Sequence, residues 1–256
     1  MDTYQNRNQQ PSFWDKFSGD QQTAYKTNIF GSQRQDFIKK VFSIVFVQIL
    51  VTTIITGFTM GNVTMRRFVM ESQVCMIISV IGALVTMLIL LFSDKMAKQV
   101  PTNYYLLTAF TLFESYSIAC LCNFTDPEIV LMALVGTCAI TLTLVTYAMT
   151  AKKDFTIMGS FVHQMISSMF IMAISNFFFR IPLIGCILYA GSCVMAGLYL
   201  IYDVQMICGG KRGKFGIDDY VRAAMTLYLD IIRIFIKIIQ ILNALKKDDD
   251  EKDRKK

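Results

Sequence analysis

The segments LYLIYDVQMI (198–207) and MTLYLDIIRIF (225–235) each place one aspartate inside an apolar run. A charged side chain at the centre of a bilayer costs roughly 2.5–3.5 kcal/mol on insertion scales, so it is expected to face a polar cavity or a partner. Asp203 and Asp230 therefore indicate an acidic site shared by two consecutive hydrophobic segments. This pattern favours ion or proton handling within a membrane.

The composition around these segments is that of an integral membrane protein. Of the 256 residues, 54% are hydrophobic and 17% are charged, and the charges gather at the two ends and in short connectors. The apolar windows between them are long enough to cross a hydrocarbon core of roughly 30 Å as helices. The predicted spans are 41–60, 74–93, 104–122, 129–150, 157–179 and 183–207, followed by a less apolar segment at 221–244.

The chain is predicted to have one membrane domain and two polar ends. We expect a cytosolic N-terminal tail (1–36), a multi-pass domain (37–245) and a charged C-terminal tail (246–256). Lys and Arg are concentrated near the N-terminus, before the first predicted span, and in the second, fourth and sixth connectors between the spans. This distribution predicts that the N-terminus lies in the cytosol. Seven crossings would put the C-terminal tail on the other side, although Lys246 and Lys247 favour the cytosol. A last segment that enters and returns would remove this conflict, and both topologies stay open.

The charge and the cysteines exclude other classes of function. The net charge of +6 suits anionic lipid headgroups, and no basic face with interleaved aromatics suggests nucleic acid. Seven cysteines without a CxxC pair, with a single histidine in the chain, argue against a zinc site. We expect no cofactor and no enzymatic activity.

The last segment carries a polar stripe. Its members recur at intervals of four, three, four and three residues, which places them on one face of a helix that is otherwise apolar: Thr226, Asp230, Arg233, Lys237 and Gln240. A helix of this kind is expected to turn the stripe toward the bundle interior or a water-filled path.

Two adjacent aspartates would behave as a unit. If Asp203 and Asp230 approach within a few ångströms, both cannot ionise freely, and the pair should titrate as a coupled proton sensor. Fully deprotonated, the same pair offers hard oxygen ligands for a transient Ca²⁺ ion. The alternative is that each aspartate pairs with a cation, for example Asp230 with Arg233.

Three further acidic residues are candidates for an ion pathway. Glu114 lies in the middle of the third span, where it is either a third acidic group or a buried acceptor between helices. Asp218 and Asp219 precede Tyr220 and are expected to cap the last helix, because acidic groups favour helix N-termini.

Several of these stretches resemble a known family. Tyr202-Asp203-Val204-Gln205, the acidic pair before Tyr220 and the run LYLDII (227–232) resemble the closing signature of the transmembrane Bax inhibitor motif (lifeguard) family. The pieces FVMES (68–72), NYYLLTAFTLFES (103–115) and AKKDFTIMG (151–159) are similar to its Golgi anti-apoptotic protein branch. The resemblance runs from about Arg34 to Leu245.

The resemblance implies an all-α integral membrane bundle of six transmembrane helices plus a central seventh helix or re-entrant segment. It also implies a pH-sensitive calcium leak from Golgi or endoplasmic reticulum stores and suppression of apoptosis. Asp203 and Asp230 match the pH-sensing pair that gates the pore, and Asp218 matches an acidic position implicated in conduction. Arg66 or Arg67 is the candidate latch on the first aspartate.

The chain also departs from the family. Arg233 and Lys237 stand where relatives usually have neutral or aromatic residues, and two cations beside Asp230 would repel Ca²⁺. A second hypothesis is therefore a non-conducting regulator that acts through partners such as cell-death regulators or calcium-release channels. An intramembrane aspartyl protease is disfavoured, because Asp230 follows Leu229 rather than a Gly-x-Gly sequence and no Pro-Ala-Leu tripeptide occurs.

Overall fold

The computed structural model describes the backbone of residues 13–150, 182–209 and 215–253, which is helical apart from short connectors. Side chains are described for 32–150, for most of 188–209 and for 215–246. The helices are α1 (Phe13–Gly61), α2 (Val63–Glu71), α3 (Gln73–Phe92), α4 (Asp94–Lys98), α5 (Thr102–Asn123), α6 (Pro127–Thr150), α7 (Pro182–Cys208) and α8 (Tyr220–Asp253), and a 3-10 turn (Ile217–Asp219) precedes α8.

The fold is an all-helical integral membrane protein. Within the described ranges, five helices are long and apolar enough to cross a membrane: Ser32–Gly61, Gln73–Phe92, Thr102–Asn123, Pro127–Thr150 and Gly191–Cys208. They correspond to the predicted spans 41–60, 74–93, 104–122, 129–150 and 183–207. The predicted span 157–179 lies outside the described residues.

The core is organised around α8. This helix packs against α1, α5, α6 and α7, and many of its apolar side chains are fully buried, including Val221, Leu227, Tyr228 and Ile234. The outer faces of the other helices carry exposed large hydrophobic residues such as Phe46, Ile77 and Leu142. A surface of this kind is suited to lipid.

The last segment runs the whole length of the bundle. At its start, Arg222 bonds to Asp94, beside α4. At its other end, Lys246 forms an ion pair with Asp126, in the connector between α5 and α6. Because α5 separates these two connectors, α8 begins at one end of the bundle and finishes at the opposite end. A segment that enters and returns would have brought Lys246 back beside α4.

The first helix is longer than the predicted span. It begins at Phe13, so residues 13–36 of the predicted tail continue α1. No proline occurs between Pro11 and Pro101, and once the apolar part is helical each further residue adds a hydrogen bond without a new nucleation cost. A polar composition therefore does not end this helix.

Candidate functional site

The two intramembrane aspartates meet between α7 and α8. The carboxyl groups of Asp203 and Asp230 come within hydrogen-bonding reach and interact electrostatically. The side chain of Asp230 is 1% exposed. As the sequence predicts, the two residues therefore lie together in one acidic site.

Asp230 also has a cationic neighbour. Arg233, one turn further along α8, donates from Nη1 to Oδ1 of Asp230 at 2.8 Å. The other oxygen, Oδ2, is buried and receives no hydrogen bond from a described donor. The contact with Asp203 is therefore carboxyl to carboxyl, and it becomes a hydrogen bond only when one of the two groups carries a proton. Both alternatives raised by the sequence, the acidic pair and the Asp230–Arg233 ion pair, are present together.

The polar stripe of α8 faces α7. Three electrostatic interactions follow the antiparallel order of the two helices: Asp203 with Asp230, Tyr199 with Arg233 and Cys193 with Lys237. The polar stripe is not fully buried between the helices, because the Arg233 side chain is 55% exposed.

The other stripe residues make local contacts. Lys237 donates from Nζ to Oε1 of Gln240 at 3.0 Å. The hydroxyl of Thr226 donates to the Ala223 carbonyl at 3.1 Å.

Glu114 belongs to the same electrostatic neighbourhood. It is half-buried on α5 and interacts with Arg233 across the bundle. One guanidinium therefore interacts with Asp230 and with Glu114, and Asp203 interacts with the same Asp230 carboxyl group. Three acidic groups and one arginine form the acidic site: Glu114, Asp203, Asp230 and Arg233.

Asp218 and Asp219 lie at the end of the bundle where α8 begins. Asp219 accepts a hydrogen bond from the Gly216 backbone N–H at 3.0 Å, which confirms a capping role at the 3-10 turn, whereas Asp218 is exposed. Eleven residues, about 16 Å of helix, separate Asp219 from Asp230. Neither residue is part of the acidic site.

An ion cluster surrounds Asp219. Arg222 approaches it at 3.5 Å and Lys98 at 3.3 Å, while the Arg222 guanidinium also bonds to Asp94 and to the Leu90 carbonyl. The hydrogen bond and charge of Arg222 lower the pKa of Asp94. Sequence reasoning missed Arg222, although the Asp219-x-x-Arg222 spacing is that of a helical ion pair.

The arginines proposed as a latch are elsewhere. Arg66 donates to the Asn123 carbonyl at 3.2 Å, at the end of the bundle opposite the Asp219 cluster, and Arg67 is exposed beside it. Among the side chains described, the cation in contact with Asp230 is Arg233. Arg34, which the sequence did not single out, bonds to the Met206 and Phe215 carbonyls and ties α1 to the end of α7.

A neutral polar network crosses the core on the other side of α8. The Tyr228 hydroxyl is 2.9 Å from the Thr52 hydroxyl, which is 2.8 Å from the Ser115 hydroxyl. One turn earlier on α1, Gln48 donates to the Thr111 hydroxyl at 2.9 Å. These contacts join α1, α5 and α8 through groups that do not titrate near neutral pH.

The carboxyl groups of the acidic site are candidate oxygen ligands for Ca²⁺. Ca²⁺ takes roughly six to eight oxygen ligands, and the described residues contain no group of three or more acidic, cysteine or histidine side chains arranged around one point. The two carboxylates of Asp203 and Asp230 can supply only part of such a shell.

Comparison with known proteins covers most of this architecture. Residues 34–247 match the family described as inhibitor of apoptosis-promoting Bax1. The chain belongs to this Bax inhibitor family. The matched region includes α7, most of α8 and both aspartates, as the resemblance in the sequence indicated.

Individual members of the Bax inhibitor family are similar over most of their length. Protein lifeguard 4 of Mus musculus is 31% identical over 218 residues, covering 84% of this chain and 87% of the relative. The Golgi anti-apoptotic protein of Vaccinia virus (strain Lister) is 31% identical over 216 residues, with 84% and 87% covered. Protein LIFEGUARD 2 of Arabidopsis thaliana is 25% identical over 217 residues, with 83% and 89% covered.

Proposed function

We propose that this protein is a pH-sensitive calcium leak channel of Golgi or endoplasmic reticulum membranes, which lowers store calcium and thereby inhibits apoptosis. The N-terminus faces the cytosol. The observation that carries the proposal is the buried contact between the carboxyl groups of Asp203 and Asp230. Inhibition of apoptosis and a Golgi location are supported by the description of the family and by the name of the viral relative.

The gate operates through the charge of the pair. With one proton shared, the two carboxyl groups hydrogen-bond and hold α7 against α8. When that proton leaves, two like charges at about 4 Å repel by on the order of 4 kcal/mol at an effective dielectric constant of 20. Because α8 also packs against α1, α5 and α6, displacement of α7 from α8 opens a path along the polar stripe without dismantling the rest of the bundle.

A second function is favoured by one observation. Arg233 neutralises Asp230 at 2.8 Å and also faces Glu114, so the acidic site carries less negative charge than its three acids suggest. A cation in this position opposes the passage of Ca²⁺. The corresponding hypothesis is a non-conducting regulator of cell death that acts by binding other membrane proteins.

The two functions are separated by calcium flux in a purified system. Wild type, Asp203→Asn and Asp230→Asn are reconstituted in liposomes that contain a trapped calcium dye, and influx is followed from about pH 6 to pH 8, a range that covers physiological switching. We expect flux in wild type that rises with pH and loses its pH dependence in both variants. Asp126→Asn is the matched control, because it neutralises an acidic residue paired with Lys246 at the end of the bundle.

Two outcomes would contradict different parts of the proposal. A pH dependence that survives in Asp203→Asn and Asp230→Asn would show that the pair is not the gate. Wild-type protein that is correctly folded and passes no calcium at any pH would exclude the channel and leave the regulator.

A further inference from the structure

A groove of about 560 Å³ opens on the outside of the bundle between α1 and α6. Its two walls run from Phe46 to Met60 on α1 and from Pro127 to Leu142 on α6. The floor is formed by Ile231, Ile232 and Phe235 of α8. Ile118 of α5 completes it. Along α6 the groove extends over about 22 Å, a length that suits an extended hydrocarbon chain better than a compact ligand.

The groove offers an apolar surface even where threonines line it. Thr53 and Thr137 donate their hydroxyls to the carbonyls one turn earlier in their own helices, and the Thr52 hydroxyl is bonded to Gln48 and its polar neighbours. The hydroxyl oxygens of Thr56 and Thr141 are buried and have no hydrogen-bond partner among the described residues. Because the hydroxyls of Thr52, Thr53 and Thr137 are already bonded within the protein and most of the other lining side chains are apolar, the groove suits a hydrocarbon chain better than a polar ligand.

The surroundings of the groove determine what fills it. Its walls belong to two of the helices that are apolar enough to cross a membrane, and its rim residues Phe46, Leu131 and Leu142 are exposed. In a bilayer this rim faces hydrocarbon, and acyl chains are present there at far higher concentration than any protein partner. By mass action the chain of a lipid occupies the groove ahead of a competing protein segment.

We propose that the groove between α1 and α6 is a binding site for one acyl chain of a phospholipid. The chain packs on the face of α8 that lies about 170° around the helix from the polar stripe. Ile231 and Ile232 directly follow Asp230. The bound chain therefore packs against the face of α8 opposite the polar stripe, at the level of the acidic site. The site is independent of whether the protein conducts calcium.

Photo-crosslinking in liposomes tests the site directly. Phosphatidylcholine with a diazirine in its acyl chain is included in the bilayer, and crosslinked positions are mapped by mass spectrometry. We expect crosslinks on the groove walls, for example at Leu134, to exceed those at Ile77 and Ile81, which are exposed on the outer face of α3. Equal labelling of the groove and the α3 face would mean that the lipid contact is non-specific and would overturn the proposal.

Two glycines of α1 supply a matched pair of variants. A Cβ added at Gly57, which lines the groove, or at Gly61, at the end of the same helix, meets no atom within 4 Å. Gly57→Leu should therefore fill the groove and lose most of its crosslinks, whereas Gly61→Leu should keep them. Unchanged groove labelling in Gly57→Leu would contradict the proposal.

A second variant covers the opposite wall. If Gly57→Leu does not yield folded protein, Cys138→Phe places a bulky side chain in the groove from an exposed position of α6 and should have the same effect. Absence of lipid adducts in the groove, together with disulfide formation between two copies of Leu131→Cys, a position in the groove wall, would assign this surface to self-association and overturn the lipid site.

Discussion

Arg233 and Asp230 form an ion pair in which one partner is buried and the other is open. The guanidinium is 55% exposed whereas the carboxylate is 1% exposed. One end of this ion pair, the Asp230 carboxylate, therefore lies inside the acidic site, and the other end, the Arg233 guanidinium, lies at its exposed edge. The charge of Arg233 can be changed without placing a new group in the packed core.

We expect Arg233→Gln to increase calcium flux above wild type at a given pH, because it removes a positive charge that opposes the entry of Ca²⁺. Lys237→Gln is the matched control: it makes the same charge change one turn further along the stripe, where Lys237 contacts Gln240 and not Asp230. Calcium influx into liposomes is measured for both variants. Equal flux in the two variants would show that Arg233 has no special effect on the path.

The same variant should be less stable at high pH than at low pH. Breaking a buried ion pair by removing one partner costs about 3–5 kcal/mol, and the exposure of Arg233 reduces this because solvent screens the charge. Protonation of Asp230 removes the unpaired charge, so the loss of Tm in detergent should shrink on acidification. A loss of Tm that does not vary with pH would argue against charge as its cause.

Tyr228→Phe should lower stability and leave the acidic site intact. The change removes a fully buried hydroxyl that bonds to Thr52 but keeps the ring, which contacts Phe110 edge to face. A loss of about 0.5–1.5 kcal/mol is expected for one hydrogen bond of this kind, seen as a lower Tm. Tyr105→Phe, at an exposed position, should have no measurable effect, and calcium flux should keep its pH dependence in both.

The ion cluster at the start of α8 should make stability depend on acid pH. Arg222 lowers the pKa of Asp94. A carboxyl group with a lowered folded-state pKa stabilises the protein above its unfolded-state pKa, about 3.9 for aspartate, and this contribution disappears as the pH falls through the folded-state value. Tm should therefore decrease below about pH 4, where this aspartate binds a proton in the unfolded chain before it does in the folded protein.

Arg222→Met should flatten this part of the pH profile and lower Tm at neutral pH, because the Leu90 carbonyl and Asp219 lose a donor. Hydrogen bonds to charged groups contribute about 1.5–3 kcal/mol. Lys95→Met, at an exposed position of α4, is the control and should behave as wild type. An unchanged acid profile in Arg222→Met would contradict the assignment.

The course of α8 predicts the side of the membrane on which each end lies. An impermeant maleimide should label Lys95→Cys and Leu245→Cys from opposite sides, with mass spectrometry distinguishing each new thiol from the native cysteines. Val63→Cys should label from the same side as Leu245→Cys, because α2 contacts the end of α5 through Arg66 and Asn123. Labelling of Lys95→Cys and Leu245→Cys from one side would contradict a helix that crosses.

The spans could be predicted from the sequence because membrane thickness and helical rise fix their length. Four of the predicted ranges end within two residues of the helices Gln73–Phe92, Thr102–Asn123, Pro127–Thr150 and Pro182–Cys208. The contact of Asp203 with Asp230 followed from the high cost of isolated charges in lipid, and the Asp230–Arg233 pair followed from helical spacing.

Contacts between distant helices could not be predicted in this way. Arg34 and Met206 are 172 residues apart, and Arg222 and Asp94 are 128 residues apart, so nothing in their local sequence indicates the pairing. The placement of Arg66 failed to follow the family expectation for the same physical reason. Which cation meets a carboxylate depends on where each helix ends, and Arg66 lies on α2, at the end of the bundle opposite the Asp219 cluster.

The depth of Asp203 gives the acidic site an electrical property. Asp203 lies five residues before the end of α7 at Cys208, about 7.5 Å of helix, or roughly a quarter of a hydrocarbon core of about 30 Å. Moving one charge through the full membrane potential changes its energy by about 2.3 kcal/mol per 100 mV. In the proposed channel, a proton that enters from the α7–α8 connector would cross only about a quarter of that drop, so we expect gating to follow the pH on that side and to depend only weakly on voltage.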